Sequence, residues 1–447
     1  MKKILIANRG EIAVRIIRAC HQEGFTTVAV YSTVDAESLH VTMADESVCI
    51  GDHKLNESYL NMERIISAAI VSEADAIHPG YGFLSENDQF ANLCEKCGIE
   101  FIGPKSETIT LMGNKANARD AAIKSGVPVV KGSKGIIKDF AHLQREMNKI
   151  GYPVLIKATH GGGGRGMRIV YDECDLEISY NTCVNEAKNA FGNGDVYIEQ
   201  FVINPKHIEV QILADKFGNV VTLGERDCSM QRRNQKVIEE TPCKLLSDKT
   251  RNKLFDVSAN LAKEIGYIGA GTIEYVMDEN ENFYFIEMNT RIQVEHPISE
   301  EVSNVDLVAW QLLIANGEKL AFTQEDIELK NHSIECRVTC EDISRGFMPV
   351  PGQIDHINIP GGNGVRVDTF IYQGCTISKY YDSMILKVIV KGNSRLEAIN
   401  KMKQALCELV IEPIPTNIEF LYEILEREEF ANGKYHTKTL ERLIDNE

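Results

Sequence analysis

Through the first hundred residues, short apolar runs alternate with segments of helical periodicity. KKILIA and TTVAVYS are aliphatic, β-branched runs of strand length. Between them, EIAVRIIRACHQEG repeats apolar positions at helical spacing and stops at Gly24. ADAIHPG, a helix from Glu86 and IEFIGP continue the alternation. Strand–helix–strand units with short connections predict a doubly wound parallel sheet. The first turn, Asn8-Arg9-Gly10-Glu11, lacks the three-glycine dinucleotide fingerprint. A single helix carrying Lys115 is predicted over 106–125.

Two strand-like runs, YPVLIKAT and RGMRIVY, flank His160-Gly161-Gly162-Gly163-Gly164. A Walker-type phosphate loop joins strand to helix and ends in Gly-Lys-Ser/Thr. Here the glycines join strand to strand, the pattern of a hairpin lid whose amides approach phosphate closely, or of a plain loop. Lys157 and Arg165 beside them bring the lid level with the plain loop. VYIEQFV, HIEVQILAD and NVVTLGERD read as further strands, RNKLFDVSANLAKEIGY and VDLVAWQLLIANGE as helices. From about Ser333 the pattern is strand-rich, and a final helix pair begins near Ser394.

GAGTIEYVMDENENFYFIEMNTR is a hairpin whose polar tip, 278–282, separates two apolar runs. A symmetric turn between Asn280 and Glu281 places Glu274 opposite Glu287, with Asn289 on their face. Two adjacent carboxylates and an amide form a hard-cation donor set; the alternative is a solvated acidic face. Flanking Val276, Phe285 and Ile286 favour burial and the metal. If the chain stays extended, Asn289, Arg291, Gln293 and Glu295 line one face. Arg291 then offers a bidentate clamp for a planar oxyanion and Glu295 a general base, against an exposed edge strand of alternating charge. Gln231-Arg232-Arg233-Asn234-Gln235-Lys236 is either an anion site or a solvated basic run, and His207, on a strand, is an ordinary structural histidine on this evidence alone.

Composition narrows the classes. The 447 residues suggest two to four domains, and 43% hydrophobic with 25% charged residues is globular. With 48 basic against 65 acidic residues the net charge is -17, which argues against nucleic acid or anionic membrane as a partner. No apolar run approaches the roughly 18 residues of a membrane span, and no leader pattern is visible, so the cytoplasm is the default compartment. The twelve cysteines show no framework spacing, and Cys94-x-x-Cys97 reads as ordinary reduced thiols.

Several long strings, in order over almost the whole chain, resemble the biotin carboxylase family: ILIANRGEIAVRIIRA, HPGYGFLSEN, GGGGRGM, ERDCSMQRR-x-QKVIEE, IEMNTRIQVEHPISE, ECRVTCED, PVPGQI and YYDSMI. The resemblance implies an α/β and α+β ATP-grasp fold. An N-terminal doubly wound domain (1–113) would precede an ATP-grasp domain (114–330) whose lid covers about 130–203; an antiparallel C-terminal body (331–447) would follow. It implies that Lys115, Lys157, Gly163 and Gly164 hold ATP phosphates, and that Glu199, Gln200, Phe201, Val202, His207, Gln231 and Asn234 border the adenosine. Glu274, Glu287 and Asn289 would carry Mg²⁺ or Mn²⁺. Lys236, Arg291, Gln293 and the Val294 amide would bind bicarbonate, with Glu295 as its base and Arg337 stabilising the biotin enolate.

The implied reaction is carboxylation of biotin by bicarbonate and ATP through carboxyphosphate. No Ala-Met-Lys-Met string occurs, so the resemblance is to a free-standing subunit of acetyl-CoA carboxylase type. Such a subunit serves fatty acid synthesis as a homodimer beside a biotin carboxyl carrier protein and a carboxyltransferase. Propionyl-CoA or pyruvate carboxylase subunits have similar form. Four positions depart from the family pattern: His160 for glycine in the lid, Gln200 for lysine, Asn234 for histidine, and Leu386 for glycine. None removes a metal, bicarbonate or base residue, which implies retained activity with altered nucleotide affinity. Another ATP-grasp ligase, joining a carboxylate to an amine, shares the lid and metal hairpin but not the Arg291-Gln293-Glu295 string with Lys236 and Arg337. A regulatory subunit without turnover would be expected to lack Glu274 or Glu295, and both are present.

Overall fold

The structure is a computed structural model that describes residues 1–133, 135–159 and 166–445. The N-terminal unit is the parallel sheet expected: β1 (Lys3–Ile6), β2 (Thr26–Ser32), β3 (Glu46–Gly51), β4 (Ala76–His78) and β5 (Glu100–Phe101), in the order β3-β2-β1-β4-β5. The helix over Gly10–Gln22 buries Ile12, Ile16 and Ile17 against it, and the chain turns out at Gly24, φ +77°.

The predicted helix over 106–125 is two helices, Ser106–Gly113 and Lys115–Lys124. Asn114 between them is extended, and its side chain accepts from the amides of Ala116 and Asn117 at 3.1 and 3.0 Å. A good N-cap at this point outcompetes continued helix and puts Lys115 at the start of the second one.

β6 (Val154–Ala158), β7 (Met167–Val170) and β8 (Val196–Gln200) form a separate three-stranded sheet, with β6 central. Lys157 pairs with Met167 across the hairpin. The glycine run, with His160, Gly163, Gly164 and Arg165, lies outside the described residues.

The largest element is an antiparallel sheet of eight strands. β9 (Lys206–Ala214), β10 (Val220–Arg232), β11 (Gln235–Thr241), β12 (Gly269–Met277), β13 (Phe283–Asn289) and β14 (His332–Thr339) are joined by β15 (Val365–Thr369) and β16 (Met384–Gly392). Their order is β13-β12-β9-β10-β11-β14-β16-β15. β14 pairs with β11 from Ile238↔Cys336 to Thr241↔Ser333 and extends the central sheet past residue 330, while shorter C-terminal strands form three two-stranded antiparallel ladders, 341–342 with 348–349, 352–353 with 376–377 and 356–358 with 410–412. The predicted final helix pair is four helices, Arg395–Glu408, Ile418–Glu426, Glu428–Asn432 and Thr439–Asp445. They cover one core with Phe420, Leu421 and Phe430.

Candidate active site

The β12–β13 hairpin supplies the first part of the site. Near its tip the pairs are Met277↔Phe283 and Tyr275↔Phe285, so the turn centres on Asn280, one half-step from the symmetric turn expected. The next pair is Glu274↔Glu287, which skips Ile286. This bulge restores the predicted carboxylate pair and leaves Asn289 opposite Thr272. Asn289 donates its amide to Glu274 at 2.9 Å. Burial, then the neighbouring Glu274 charge, holds the Glu287 carboxyl above its ordinary range, while the Lys115 cation works the other way. Two carboxylates in register, together with an amide, suit a divalent ion.

A second bulge re-aims Lys236. β10 and β11 pair as Met230↔Ile238 and then Gln231↔Lys236, skipping Val237. Lys236 and Glu239, three residues apart, are thereby turned toward the same cluster. The Lys236 ammonium lies 2.6 Å from Glu209, 3.1 Å from Glu274 and 2.5 Å from Glu295. The other Glu295 oxygen accepts from Arg337 at 2.9 Å, and Arg337 also binds Glu239 at 2.6 Å. Burial opposes the charge on Glu295, but Lys236 and Arg337 outweigh it and hold the carboxyl below its usual range. Glu239 goes the other way: burial dominates, Arg337 compensates in part, and the group is pushed up to about 7.

The basic run splits. Lys236 and Gln231, whose amide donates to the Cys228 carbonyl at 2.8 Å, are directed inward. Arg232 lies over the Phe347 ring at 3.8 Å. Arg233 and Asn234 form the exposed hairpin tip, at φ +50° and +63°. Both central residues of a two-residue hairpin with this backbone need positive φ, which asparagine adopts readily. His207 is not an ordinary core histidine. It stands 3.2 Å from Glu274 and 3.7 Å from Glu209. Burial alone would lower it, yet those carboxylates raise it to about 9.

Beyond Asn289 the chain leaves the extended form expected of it; residues 290–295 belong to no strand or helix. The polar groups converge through a bent segment instead. Gln293 donates to Glu274 at 2.8 Å. Arg291 donates to Asn289 at 2.9 Å and to Glu86 at 2.9 Å. The helix His296–Ser303, unread in the sequence, follows at once with Pro297 in its first turn.

The keystone missed by sequence reasoning is Arg226 on β10, fully buried. Its guanidinium binds Glu209 at 2.5 Å, Gln211 at 2.6 Å, Ser299 at 2.9 Å, Thr272 at 3.1 Å and Gln293 at 2.6 Å. By donating to the Gln293 oxygen it fixes which end of that amide faces Glu274. A signal existed: His207, Glu209 and Gln211 alternate with fully buried Ile208, Val210 and Ile212, a strand with polar groups on an enclosed face.

On the three-stranded sheet, Lys157 and Glu199 pair at 2.6 Å. Gln200 and Phe201 continue the strand end, their amides donating to the Lys131 and Pro153 carbonyls at 2.7 and 2.9 Å, with Val202 following partly buried.

Comparison with known proteins agrees with this geometry. Residues 1–109 match the family described as biotin carboxylase, N-terminal domain; residues 114–323 match the carbamoyl-phosphate synthase L chain, ATP binding domain; residues 335–442 match the biotin carboxylase C-terminal domain. Biotin carboxylase 1 of Bacillus subtilis is 51% identical over 442 residues, 99% of this chain and 98% of that protein. The crystal structure of a biotin carboxylase–β,γ-ATP complex from Campylobacter jejuni has a TM-score of 0.94 at 49% identity, covering 99% of this chain and 98% of that one. The biotin carboxylase domain dimer of Hydrogenobacter thermophilus 2-oxoglutarate carboxylase, in complex with MgADP, ADP and bicarbonate, has a TM-score of 0.93 at 50% identity, over 99% and 97% of the two chains.

Proposed function

The chain belongs to the biotin carboxylase family, and on that premise we propose that it carboxylates biotin on a separate carrier protein, with residue roles as follows. Glu274, Glu287 and Asn289 would hold Mg²⁺ or Mn²⁺, which supplies charge neutralisation to the nucleotide phosphates. Lys115, Lys157, Gly163 and Gly164 bind those phosphates; Glu199, Gln200, Phe201, Val202, His207, Gln231 and Asn234 border the nucleoside. Lys236, Arg291, Gln293 and the Val294 amide bind bicarbonate, Glu295 removes its proton, and Arg337 steadies the biotin enolate.

The observation that carries this reading is the clamp on Glu295, one carboxylate gripped on its two oxygens by Lys236 and Arg337 beside the acidic pair. Two cations holding a carboxylate at rest form a ready anion site. An arriving bicarbonate shares those cations, so Glu295 loses part of their stabilisation and gains proton affinity when its substrate is bound. Deprotonated bicarbonate attacks the γ-phosphorus, ADP leaves, and carboxyphosphate breaks to CO₂ and phosphate, which takes the biotin ureido proton. Arg226 holds Glu209 and Gln293 in place for this chemistry, in which positioning dominates.

The domain limits 1–113, 114–330 and 331–447 remain our division of the chain, as do a cytoplasmic homodimer and partnership with a carboxyltransferase in acetyl-CoA carboxylase, serving fatty acid synthesis. The decisive experiment is ATP hydrolysis by the purified chain. Dependence on both bicarbonate and free biotin is expected; dependence on an amino acid points to an ATP-grasp amide ligase, and ATP binding without turnover to a regulatory subunit.

A further inference from the structure

Lys387, on β16, is fully buried, a place lysine occupies only with partners. Its ammonium donates to the Val294 carbonyl at 2.7 Å and lies 3.2 Å from a Glu11 oxygen. Glu11 sits in the first turn of the helix Gly10–Gln22 of the N-terminal unit, and the same oxygen accepts from the Tyr81 hydroxyl. Burial works against the charge on Lys387, but Glu11, Glu335 and Asp368 outweigh it, so the ammonium persists.

The target of this cation matters. Residues 290–295 follow the end of β13 and lie in no ladder, so no sheet fixes their peptide planes. The Val294 carbonyl and the Glu295 amide belong to one rigid peptide unit. A cation anchored on that oxygen fixes the plane from which the Glu295 side chain departs toward Lys236 and Arg337. Gln293, one residue earlier, is held through its side chain by Arg226. The segment is thus gripped at two adjacent residues by two fully buried cations, one from the central sheet and one braced by the N-terminal unit.

We propose that Lys387, braced by Glu11 and Tyr81, is a positioning residue of the bicarbonate site that holds the 294–295 peptide in its productive orientation. This rests on the assignment of Gln293, Val294 and Glu295 to bicarbonate. A plain packing role predicts loss of stability with both substrates affected alike; the positioning role predicts a selective loss.

The test compares full-length wild type, K387M, K387R and E11Q in bicarbonate- and biotin-dependent ATP hydrolysis, with thermal melts alongside. For K387M the KM for bicarbonate rises about tenfold or more, the KM for ATP stays within about twofold, and K387R recovers part of the loss. E11Q keeps an oxygen for Lys387 and Tyr81 but not the charge, and raises the bicarbonate KM about threefold; it carries the test if K387M does not fold. An unchanged bicarbonate KM in the variants that fold, or a parallel rise in both KM values, overturns the proposal. Absence of bicarbonate-dependent turnover in the wild type overturns the underlying assignment instead.

Discussion

Replacing Glu295 by glutamine probes the centre of the proposed chemistry. The substitution keeps volume and removes one negative charge between two cations. The Lys236 ammonium at 2.5 Å and the Arg337 guanidinium at 2.9 Å are donor-only groups. A glutamine can face one of them with its oxygen, and its amide then meets the other donor to donor. Each lost charge-assisted bond is worth about 1.5–3 kcal/mol. The cations are not orphaned, however: Lys236 keeps Glu209 and Glu274, and Arg337 keeps Glu239. The stability loss in E295Q is therefore expected to stay below about 3 kcal/mol in urea unfolding. Loss of a positioned base costs far more in rate, about 10²- to 10⁴-fold. Steady-state ADP release at saturating bicarbonate and biotin measures it, with the KM for ATP close to wild type. Retention of kcat within tenfold would refute the base assignment. A raised bicarbonate KM at unchanged kcat would reduce Glu295 to a binding group.

Two further outcomes concern the same network and a third the exposed hairpin tip beside it. R226M removes five hydrogen bonds and leaves buried Glu209 with Lys236 at 2.6 Å and His207 at 3.7 Å as its close cations; it is expected to cost about 3–5 kcal/mol in denaturant unfolding, and a loss under 1 kcal/mol contradicts the keystone role. Glu239 is pushed up to about 7 by burial, so its folded value lies above its unfolded one. The stability it contributes is complete below the unfolded carboxylate value of about 4.3 and is lost as pH rises through about 7. Wild-type melting temperature should then fall relative to E239Q between about pH 4.5 and 7 and level off above, and a gap that does not widen over that window rejects the shift. N234H places a ring at the positive-φ hairpin tip and is expected to lower the KM for ATP about two- to tenfold with the bicarbonate KM unchanged; equal ATP constants in the two proteins would mean that Asn234 makes no nucleotide contact.

What could be read from the chain divides along physical lines. The parallel N-terminal sheet and the Glu274–Glu287 pairing are carried by local periodicity, and periodicity survives folding. The turn centre was off by half a step, yet the bulge at Ile286 returned the acidic residues to register. Bulges, caps and breaks are decided by competition among near-equal local conformations, which is why Asn114 divided one predicted helix and residues 290–295 left the strand. Arg226, Glu239 and Lys387 stayed invisible for another reason. A charged residue inside a strand reads as a solvent-facing position unless its partners are known. Those of Arg226 lie as far away as residue 299, and the Glu11 that faces Lys387 lies at the other end of the chain. The family resemblance names residues for the proposed substrate roles but not the cations behind them.

The order of charges across the large sheet explains why the site occurs there. Strands lie about 4.8 Å apart, so each step across the sheet moves one charge by roughly that distance. From the β13 edge inward, the enclosed face presents Glu287, Glu274 and Glu209, then Arg226 and Lys236, then Glu239 with Arg337, and Lys387 beyond. Acid gathers at one edge, where the proposed divalent ion and its nucleotide would need oxygen ligands. Cations gather in the middle, where the proposed one-carbon anion would need them. Exposed to water, charges at these distances would attract or repel weakly; enclosed, they are worth several times more. The sheet must therefore be wide as well as buried, and the β11–β14 pairing achieves this by carrying the row across the expected boundary at residue 330. Without β14 and β16 the face would end at β11 with Lys236 and Glu239, Arg337 would be missing from Glu295, and the 294–295 peptide would lose the Lys387 cation.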